Sequence, residues 1–220
     1  KAMELYGASF PPHEQREVSS QAKIMKHGEY QFNLICEENE LVGILLCWET
    51  EGFIYVEHFC IDPEMRNQKY GQRALELLNR RKKPVILEID PPEDEVSARR
   101  KGFYERAGYA ANGFEHLHPP YRAGRGGHRL VVMSHPQRLT QAEYDAFDRY
   151  LKETAARCSG RLGKEGAAME YKVHDQLDPL FETASLLLLC AQGDPRFVRE
   201  ETIRHLSEFG LDGEAFYSRN

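Results

Sequence analysis

The sequence has few of the features that mark secreted, membrane-spanning or nucleic-acid-binding proteins. Its 220 residues include five cysteines, which are odd in number, widely spaced and free of any CxxC pair. This usage argues against a disulfide framework or a structural zinc site and is typical of a reducing compartment, so we expect a cytoplasmic protein. No apolar run approaches the ~20 residues that span a bilayer. A net charge of −6 disfavours binding to a phosphate backbone, so we expect neither a membrane nor a nucleic acid as partner.

The first half of the chain contains three β-rich runs in close succession. They lie at residues 32–36, 41–48 and 53–61, after an amphipathic opening at 3–10 and a polar helical stretch at 15–26. Short polar connections around Glu38-Asn39-Glu40 and Thr50-Glu51-Gly52 separate the runs, and such connections are typical of hairpins. The sequence therefore predicts an antiparallel meander.

The apolar spacing then changes from a strand period to a helix period. The later elements are predicted, in order, as a helix from Gln72 that Pro84 ends, a strand at 85–89, a helix at 95–107 closed by Gly108, strand-like stretches at 109–117 and 129–133, and a helix at 140–156. A strand, a helix and a second strand in sequence form a crossover with parallel pairing. The fold class is therefore α/β with a mixed sheet.

The composition changes at residues 158–168, which contain three glycines and no apolar periodicity. This stretch is predicted to be a flexible linker between a main domain at 1–157 and a tail at 169–220. The tail is acidic and carries only helical signals, at 178–191 and 195–209. At ~50 residues it is marginal as an independent domain, so we expect it to dock on the main domain or to form a homodimer.

The segment after the third β-rich run has the pattern of an anion site. The strand ends at Asp62-Pro63, a polar loop follows, and a helix opens near Gly71. Free backbone N–H groups and the positive end of the helix dipole would converge there and suit a phosphate. Arg66, Lys69 and Arg73 add positive charge, although a surface loop with ordinary basic residues is the alternative explanation.

Arg66-Asn67-Gln68-Lys69-Tyr70-Gly71 resembles the cofactor-binding motif of the GNAT superfamily of N-acetyltransferases, in which Arg/Gln-x-x-Gly-x-Gly/Ala follows a strand ending in Asp-Pro. Lys69 replaces the first glycine of that motif, which leaves the path of the loop open. Residues 103–109 are similar to the family's Tyr-Glu-Lys-x-Gly-Phe, and residues 9–16 to its first substrate-side helix and loop. The resemblance covers about residues 1–150, and the family's first strand would then precede Lys1.

The resemblance implies a mostly antiparallel sheet with a central, splayed pair of parallel strands that receives acetyl-CoA as co-substrate, with no metal. The family's usual asparagine contact has no counterpart here, so Ser97 or Arg100 would replace it. The implied cofactor-binding residues are Phe59, Cys60, Ile61, Arg66, Asn67, Gln68, Lys69, Tyr70, Gly71, Gln72, Ser97 and Arg100.

The resemblance also implies a direct attack of an amine on the thioester through a tetrahedral intermediate. Tyr104 matches the family's usual acid, and the backbone N–H of Ile61 or Cys60 would stabilise the oxyanion. For the base, strand alternation puts Glu57 on the face of Phe59 and His58 on that of Cys60, unless a bulge intervenes. Glu57 is slightly preferred over His58. Glu88 on the neighbouring strand and a relay of waters are the other options.

Several other patterns are weighed against this interpretation. His116, His118 and His128 have no cysteine or carboxylate at ligand spacing, so we expect loop histidines rather than a metal site. The loop at 121–127 would clamp an acidic group or cover the acceptor. The leading hypothesis is an N-acetyltransferase acting on a primary amine, small or protein-borne. The alternative is a non-catalytic acyl-CoA sensor, or a scaffold whose C-terminal helices bind a partner.

Overall fold

A computed structural model describes residues 1–38, 40–121, 126–155 and 189–191. The helices are α1 (Ala2–Ser9), α2 (Val18–Ile24), α3 (Tyr70–Asn79), α4 (Glu95–Arg106) and α5 (Gln141–Tyr150), with a 3-10 turn at Pro63–Met65 and a π-helical turn at Leu151–Ala155. The strands are β1 (Tyr30–Glu37), β2 (Glu40–Glu49), β3 (Ile54–Ile61), β4 (Val85–Ile89), β5 (Ala110–Ala111), β6 (Leu117–His118), β7 (His128–Arg129), β8 (Val131–His135) and β9 (Leu189–Ala191).

Seven strands form one mixed sheet in the order β5-β8-β4-β3-β2-β1-β9, and β6 pairs with β7 in a separate ribbon. Strands β1, β2 and β3 form the predicted antiparallel meander. Helix α3 connects β3 to β4, which pair in parallel as the crossover predicts. The predicted fold class, a mostly antiparallel sheet with a central parallel pair and flanking helices, is confirmed.

The parallel pair of β3 and β4 is short and then opens. Its ladder has three residue pairs and ends at Val56 and Leu87. Strand β3 continues to Ile61 and β4 to Ile89, but no pairing joins them over these last residues. Each strand therefore presents unpaired backbone groups to a gap in the middle of the sheet, at the carboxyl ends of its two parallel strands.

The sheet separates two hydrophobic cores. One core, on the side of α1 and α5, contains Tyr6, Trp48 and Phe147. The other, on the side of α3 and α4, contains Leu75 and Met133. Because apolar side chains cover both faces, β2 is almost fully buried, whereas the end of β3 beside the gap is only half-buried.

Two predicted elements differ from the observed ones. The stretch at 109–117 forms only the two-residue strand β5 before it turns. The reason is Asn112, whose side chain accepts from the Leu139 N–H at 2.8 Å and donates to the Ser134 hydroxyl at 3.0 Å. These bonds tie the chain to the β8–α5 connection, so the strand ends there.

The tail provides the second difference. Leu189–Ala191, the last residues of a predicted helix, instead form β9, which pairs in parallel with β1. The rest of the predicted linker at 158–168 and of the tail at 169–220 lies outside the described residues. Within the described residues, no helix combines the length and the hydrophobicity that a membrane crossing requires.

Candidate functional site

A β-bulge in β3 changes the side of the sheet on which the last side chains of the strand lie. In the β2–β3 ladder, Leu46 pairs with His58 and Cys47 with Val56, so Glu57 is the extra, unpaired residue. Both Glu57 and His58 consequently lie on the α1 side of the sheet, where Glu57 contacts Arg16. Phe59 packs on the α3 side. The expectation that Glu57 shares the face of Phe59 is therefore wrong.

The loop after β3 has an unusual backbone. Asn67 and Lys69 each have a φ of 65°, in the left-handed region that glycine adopts most easily. Lys69 is the N-cap of α3, and no side chain caps this helix. The first N–H groups of a helix have no intrahelical acceptor. Lys69 thus adopts the conformation that a glycine would provide, and the helix presents free amides at its N-terminus.

The side chains of this loop are mostly exposed, and they differ in what they bind. Arg66 donates to the Ile61 carbonyl at 3.3 Å, which leaves the rest of its guanidinium at the gap. Arg73 instead pairs with Glu37 at 3.1 Å. The other side chains bond locally, Gln68 to the Met65 sulfur, Tyr70 to Gln68 and Gln72 to Glu76.

Gly71 lets α3 approach the end of β3 closely. A Cβ at this position would lie 3.2 Å from the Phe103 ring and 3.5 Å from both Ile61 and Phe59. The free amides of α3 are therefore next to the last residues of β3. A Cβ here would fit against β3 at ordinary contact distance, but the Phe103 ring on α4 would have to shift slightly.

The backbone direction of β3 determines which amides face the gap. The Asp62 N–H donates to the Val42 carbonyl on β2 at 2.8 Å. Since in-plane direction alternates along a strand, the N–H of Cys60 points towards β2, and those of Phe59 and Ile61 point into the gap. The Cys60 side chain is half-buried, and burial raises the pKa of its thiol, so it is protonated and unsuited to act as a nucleophile.

The side chains predicted to replace the family's asparagine, those of Ser97 and Arg100, lie on α4. Both already have partners within the protein. Ser97 forms a capping box with Asp94, in which its hydroxyl accepts from the Asp94 N–H at 3.1 Å. Arg100 pairs with Asp90 at 2.6 Å. A contact of either side chain with a ligand would compete with these bonds.

Tyr104 is buried in the α3–α4 core. Burial raises the pKa of Tyr104 to about 12. Its phenol is therefore protonated at neutral pH, and its hydroxyl forms no hydrogen bond within the described parts of the chain. This group can donate a proton to a ligand in the gap.

On the opposite face, Glu57 forms a buried ion pair with Arg16. Arg16 also donates to the Ala155 carbonyl at 2.9 Å, and its guanidinium lies 5.1 Å from the centre of the Tyr121 ring. Burial alone would raise the pKa of Glu57, but Arg16, with a smaller contribution from His58, lowers it to about 2. Glu57 is thus ionised across the physiological range and is a weak proton acceptor.

His58 lies beside this pair and is 3% exposed. Its Nε2 is 2.9 Å from the Glu14 carbonyl, which can only accept, so Nε2 carries the proton. Its buried Nδ1 has no hydrogen-bond partner among the described residues and lies 3.7 Å from Glu57 Oε2. A buried nitrogen without a hydrogen-bond partner, next to a carboxylate, can accept a proton, because the carboxylate stabilises the resulting imidazolium.

Glu88, on β4, is the centre of a second buried network. Its carboxylate accepts from Tyr55 and His116, and His118 Nε2 lies 3.8 Å away. Burial raises the pKa of Glu88, but His118, His116 and Tyr55 outweigh it and lower the pKa overall. His116 and His118 are thus buried partners of a carboxylate, not the loop histidines that we expected.

Sequence reasoning did not single out Arg16 or Tyr55, and it did not place His116 beside Glu88. The available signal was an isolated acidic residue in each of two otherwise apolar strands, Glu57 and Glu88. A buried carboxylate requires a cation or several hydrogen-bond donors, so each of these two residues predicts buried partners elsewhere in the chain. The partner's position, however, depends on tertiary contacts. Of the predicted loop at 121–127, residues 122–125 lie outside the described residues.

Comparison with known proteins gives the same family as the motifs. Residues 28–111 match the family model of the acetyltransferase (GNAT) domain. The solved "Putative acetyltransferase from GNAT family" of Bacteroides thetaiotaomicron is 31% identical, with a TM-score of 0.67 over 70% of this chain and 89% of that one.

The curated "Putative acetyltransferase YjbC" of Bacillus subtilis (strain 168) is 31% identical over 65 residues, which are 29% of this chain and 34% of that protein. The match therefore spans about a third of the length of that curated relative. Both proteins are putative acetyltransferases by name, and the solved structure shares the fold over most of its length at 31% sequence identity. The chain belongs to the GNAT family of acetyltransferases.

Proposed function

We propose that this protein transfers an acetyl group from acetyl-CoA to a primary amine by direct attack on the thioester. The strongest support is the gap between β3 and β4, which opens beside the uncapped N-terminus of α3. An extended ligand can add to a free strand edge, and an anion can bind free helix amides. Acetyl-CoA is a ligand that combines an amide-containing arm with a diphosphate, so it fits both features.

The residues present fit each part of this ligand. The gap-facing amide of Phe59 would pair with the pantetheine arm, which leaves the Ile61 N–H for the oxyanion, while Cys60 keeps the strand anchored to β2. The pyrophosphate would bind the loop and helix start, with the Lys69 ammonium and the free guanidinium N–H groups of Arg66 adding charge. The loop and helix-start residues proposed to contribute are Arg66, Asn67, Gln68, Lys69, Tyr70, Gly71 and Gln72. Ser97 and Arg100 remain candidates only if they leave their present partners.

The chemistry needs three groups from the protein. The neutral amine forms a bond to the thioester carbon, and the carbonyl electrons move to oxygen, where the N–H of Ile61 stabilises the oxyanion. When the oxygen electrons return, the C–S bond breaks and the electron pair leaves on sulfur. Tyr104 donates its proton to that sulfur, while the nitrogen of the new amide loses its second proton to solvent, from which Tyr104 is reprotonated. A base removes the proton that the incoming ammonium must lose.

We assign the role of base to His58 in preference to Glu57. The His58 Nδ1 has a free lone pair, whereas the Glu57 carboxylate is neutralised by Arg16. Once His58 is protonated, the Glu57 carboxylate would stabilise the imidazolium at a distance of 3.7 Å. Glu57 thus acts through His58 and positions its charge.

The test compares two tyrosines of the same helix–strand unit. Tyr104→Phe should lower kcat for thiol release with a panel of amines by roughly 10²-fold or more, while acetyl-CoA affinity measured by calorimetry stays nearly intact. Tyr109→Phe is the matched control, because the Tyr109 hydroxyl bonds Asn79 away from the gap.

Parallel losses of turnover and affinity in Tyr104→Phe would assign its ring to packing. His58→Gln should likewise lower kcat for thiol release while acetyl-CoA affinity measured by calorimetry stays nearly intact. Binding of acetyl-CoA without thiol release from any amine would instead favour the sensor.

A further inference from the structure

The fold brings His13 and Glu14, which are adjacent in the sequence, next to His128, which lies far from them along the chain. His13 and Glu14 belong to the connection between α1 and α2, and His128 belongs to β7. One ligand atom from each lies within 4.8 Å of the others, and the rings of the two histidines are 5.8 Å apart between centroids. Two imidazoles and a carboxylate from separate segments thus converge on one point.

The polar atoms of this cluster face one another at distances too long for hydrogen bonds. His13 Nε2 lies 3.6 Å from Glu14 Oε1, and His128 Nε2 lies 3.7 Å from Asp90 Oδ1. The His13 and Glu14 atoms are near enough for one cation to contact both, and Asp90 lies beside His128 outside this set of three. All three side chains keep some exposure, so a hydrated ion can reach them.

Both segments of the cluster are held by bonds outside it. The Glu14 N–H donates to the Pro11 carbonyl at 2.9 Å, and the Glu14 carbonyl accepts from His58. His128 is paired with His118 in the β6–β7 ribbon, and His118 lies against Glu88. The ligands are therefore mounted on backbone that the buried networks already fix, which lowers the cost of gathering them around an ion.

We propose that His13, Glu14 and His128 bind a divalent transition-metal cation of the Zn²⁺ type. Imidazole nitrogen and carboxylate oxygen are ligands that Zn²⁺ accepts, and a set of three leaves at least one position for water or another ligand. Because Nε2 of His128 faces Asp90, its Nδ1 remains for the metal, with Asp90 orienting the ring as carboxylates do in metal sites. The ion would link the α1–α2 connection to the β6–β7 ribbon beside His58, and this site does not depend on the proposed acetyl transfer.

The test is a titration of the untagged, metal-free chain. Calorimetry with Zn²⁺ should show one saturable site that Mg²⁺ does not occupy, and Co²⁺ should give visible absorption bands. His13→Asn and His128→Asn should each remove this binding and the bands. Asp90→Asn should weaken it roughly tenfold. His27→Asn, a half-exposed histidine beside Glu29, is the matched control and should bind as the wild type does.

Two results would overturn the proposal: no saturable Zn²⁺ binding by the wild-type chain, or binding that persists in both His13→Asn and His128→Asn. The ligands are partly exposed, so these variants should fold, and circular dichroism checks this directly. Acetyl-CoA binding by the same samples, measured separately, keeps the outcome independent of the transferase chemistry.

Discussion

The two sides of the central gap recognise ligands by different means. On the α3 side the available groups are backbone amides, at the start of α3 and on the edge of β3, together with exposed basic side chains. On the α1 side they are buried charges, with Arg16 on Glu57 and three aromatic or imidazole groups around Glu88. The groups on the α3 side would suit a ligand that carries its own charges and amides and is the same in every turnover. The groups on the α1 side suit discrimination, because each buried charge penalises a ligand that fails to match it.

The largest loss of stability should come from removing the buried guanidinium of Arg16. Arg16→Met leaves the Glu57 carboxylate buried without a partner, so the free energy of unfolding should fall by about 3–5 kcal/mol. Arg73→Met is the control on the other side: its pair with Glu37 is partly exposed and should contribute at most about 1 kcal/mol. Urea denaturation measures both. Equal losses would mean that the two sides do not differ in electrostatic cost.

Acid should weaken the α1 side selectively. Glu57 has a folded pKa of about 2, below the unfolded value of about 4.3, so the unfolded chain binds more protons at low pH. Its contribution, on the order of 2–3 kcal/mol, is complete above about pH 5 and is lost as the pH falls towards 2. Urea midpoints at pH 7, 5 and 3 should show this loss. The double variant Arg16→Met/Glu57→Leu should lose less stability on acidification, and an unchanged pH dependence in that variant would contradict the assignment.

The smallest change in stability should come from a substitution in the loop on the α3 side. Lys69→Gly relieves a left-handed residue, so stability should rise by about 0.5–1 kcal/mol. The amides remain, so acetyl-CoA affinity measured by calorimetry should change little. Lys82→Gly is matched, since Lys82 also has a positive φ but lies at the far end of α3. A large loss of affinity in Lys69→Gly alone would show that the ammonium, not the backbone, binds the phosphates.

The same contrast explains how much could be predicted from sequence. The α3 side is contiguous: a strand, a loop and a helix within residues 59–75 identify it, and α3 begins near Gly71 as the motif predicts. The α1 side combines Arg16, Glu57, Glu88 and His116, which only tertiary packing brings together. Alternation along β3 predicted the wrong face for Glu57, because no local pattern signals a bulge. The approach of His13 to His128 depends likewise on how the β6–β7 ribbon packs.

The bulge at Glu57 makes the order of side chains in β3 sensitive to a single residue. Two neighbours, Glu57 and His58, project to the same side, and every later position is consequently inverted in parity relative to a regular strand. Deleting one of the two would move every later side chain of β3 to the opposite face of the sheet. Phe59 and Ile61 would then turn towards Arg16, and Cys60 would turn towards α3. Inserting or deleting one residue in β3 would therefore change the side chains on both faces of the sheet at once, whereas the same change in a surface loop would not.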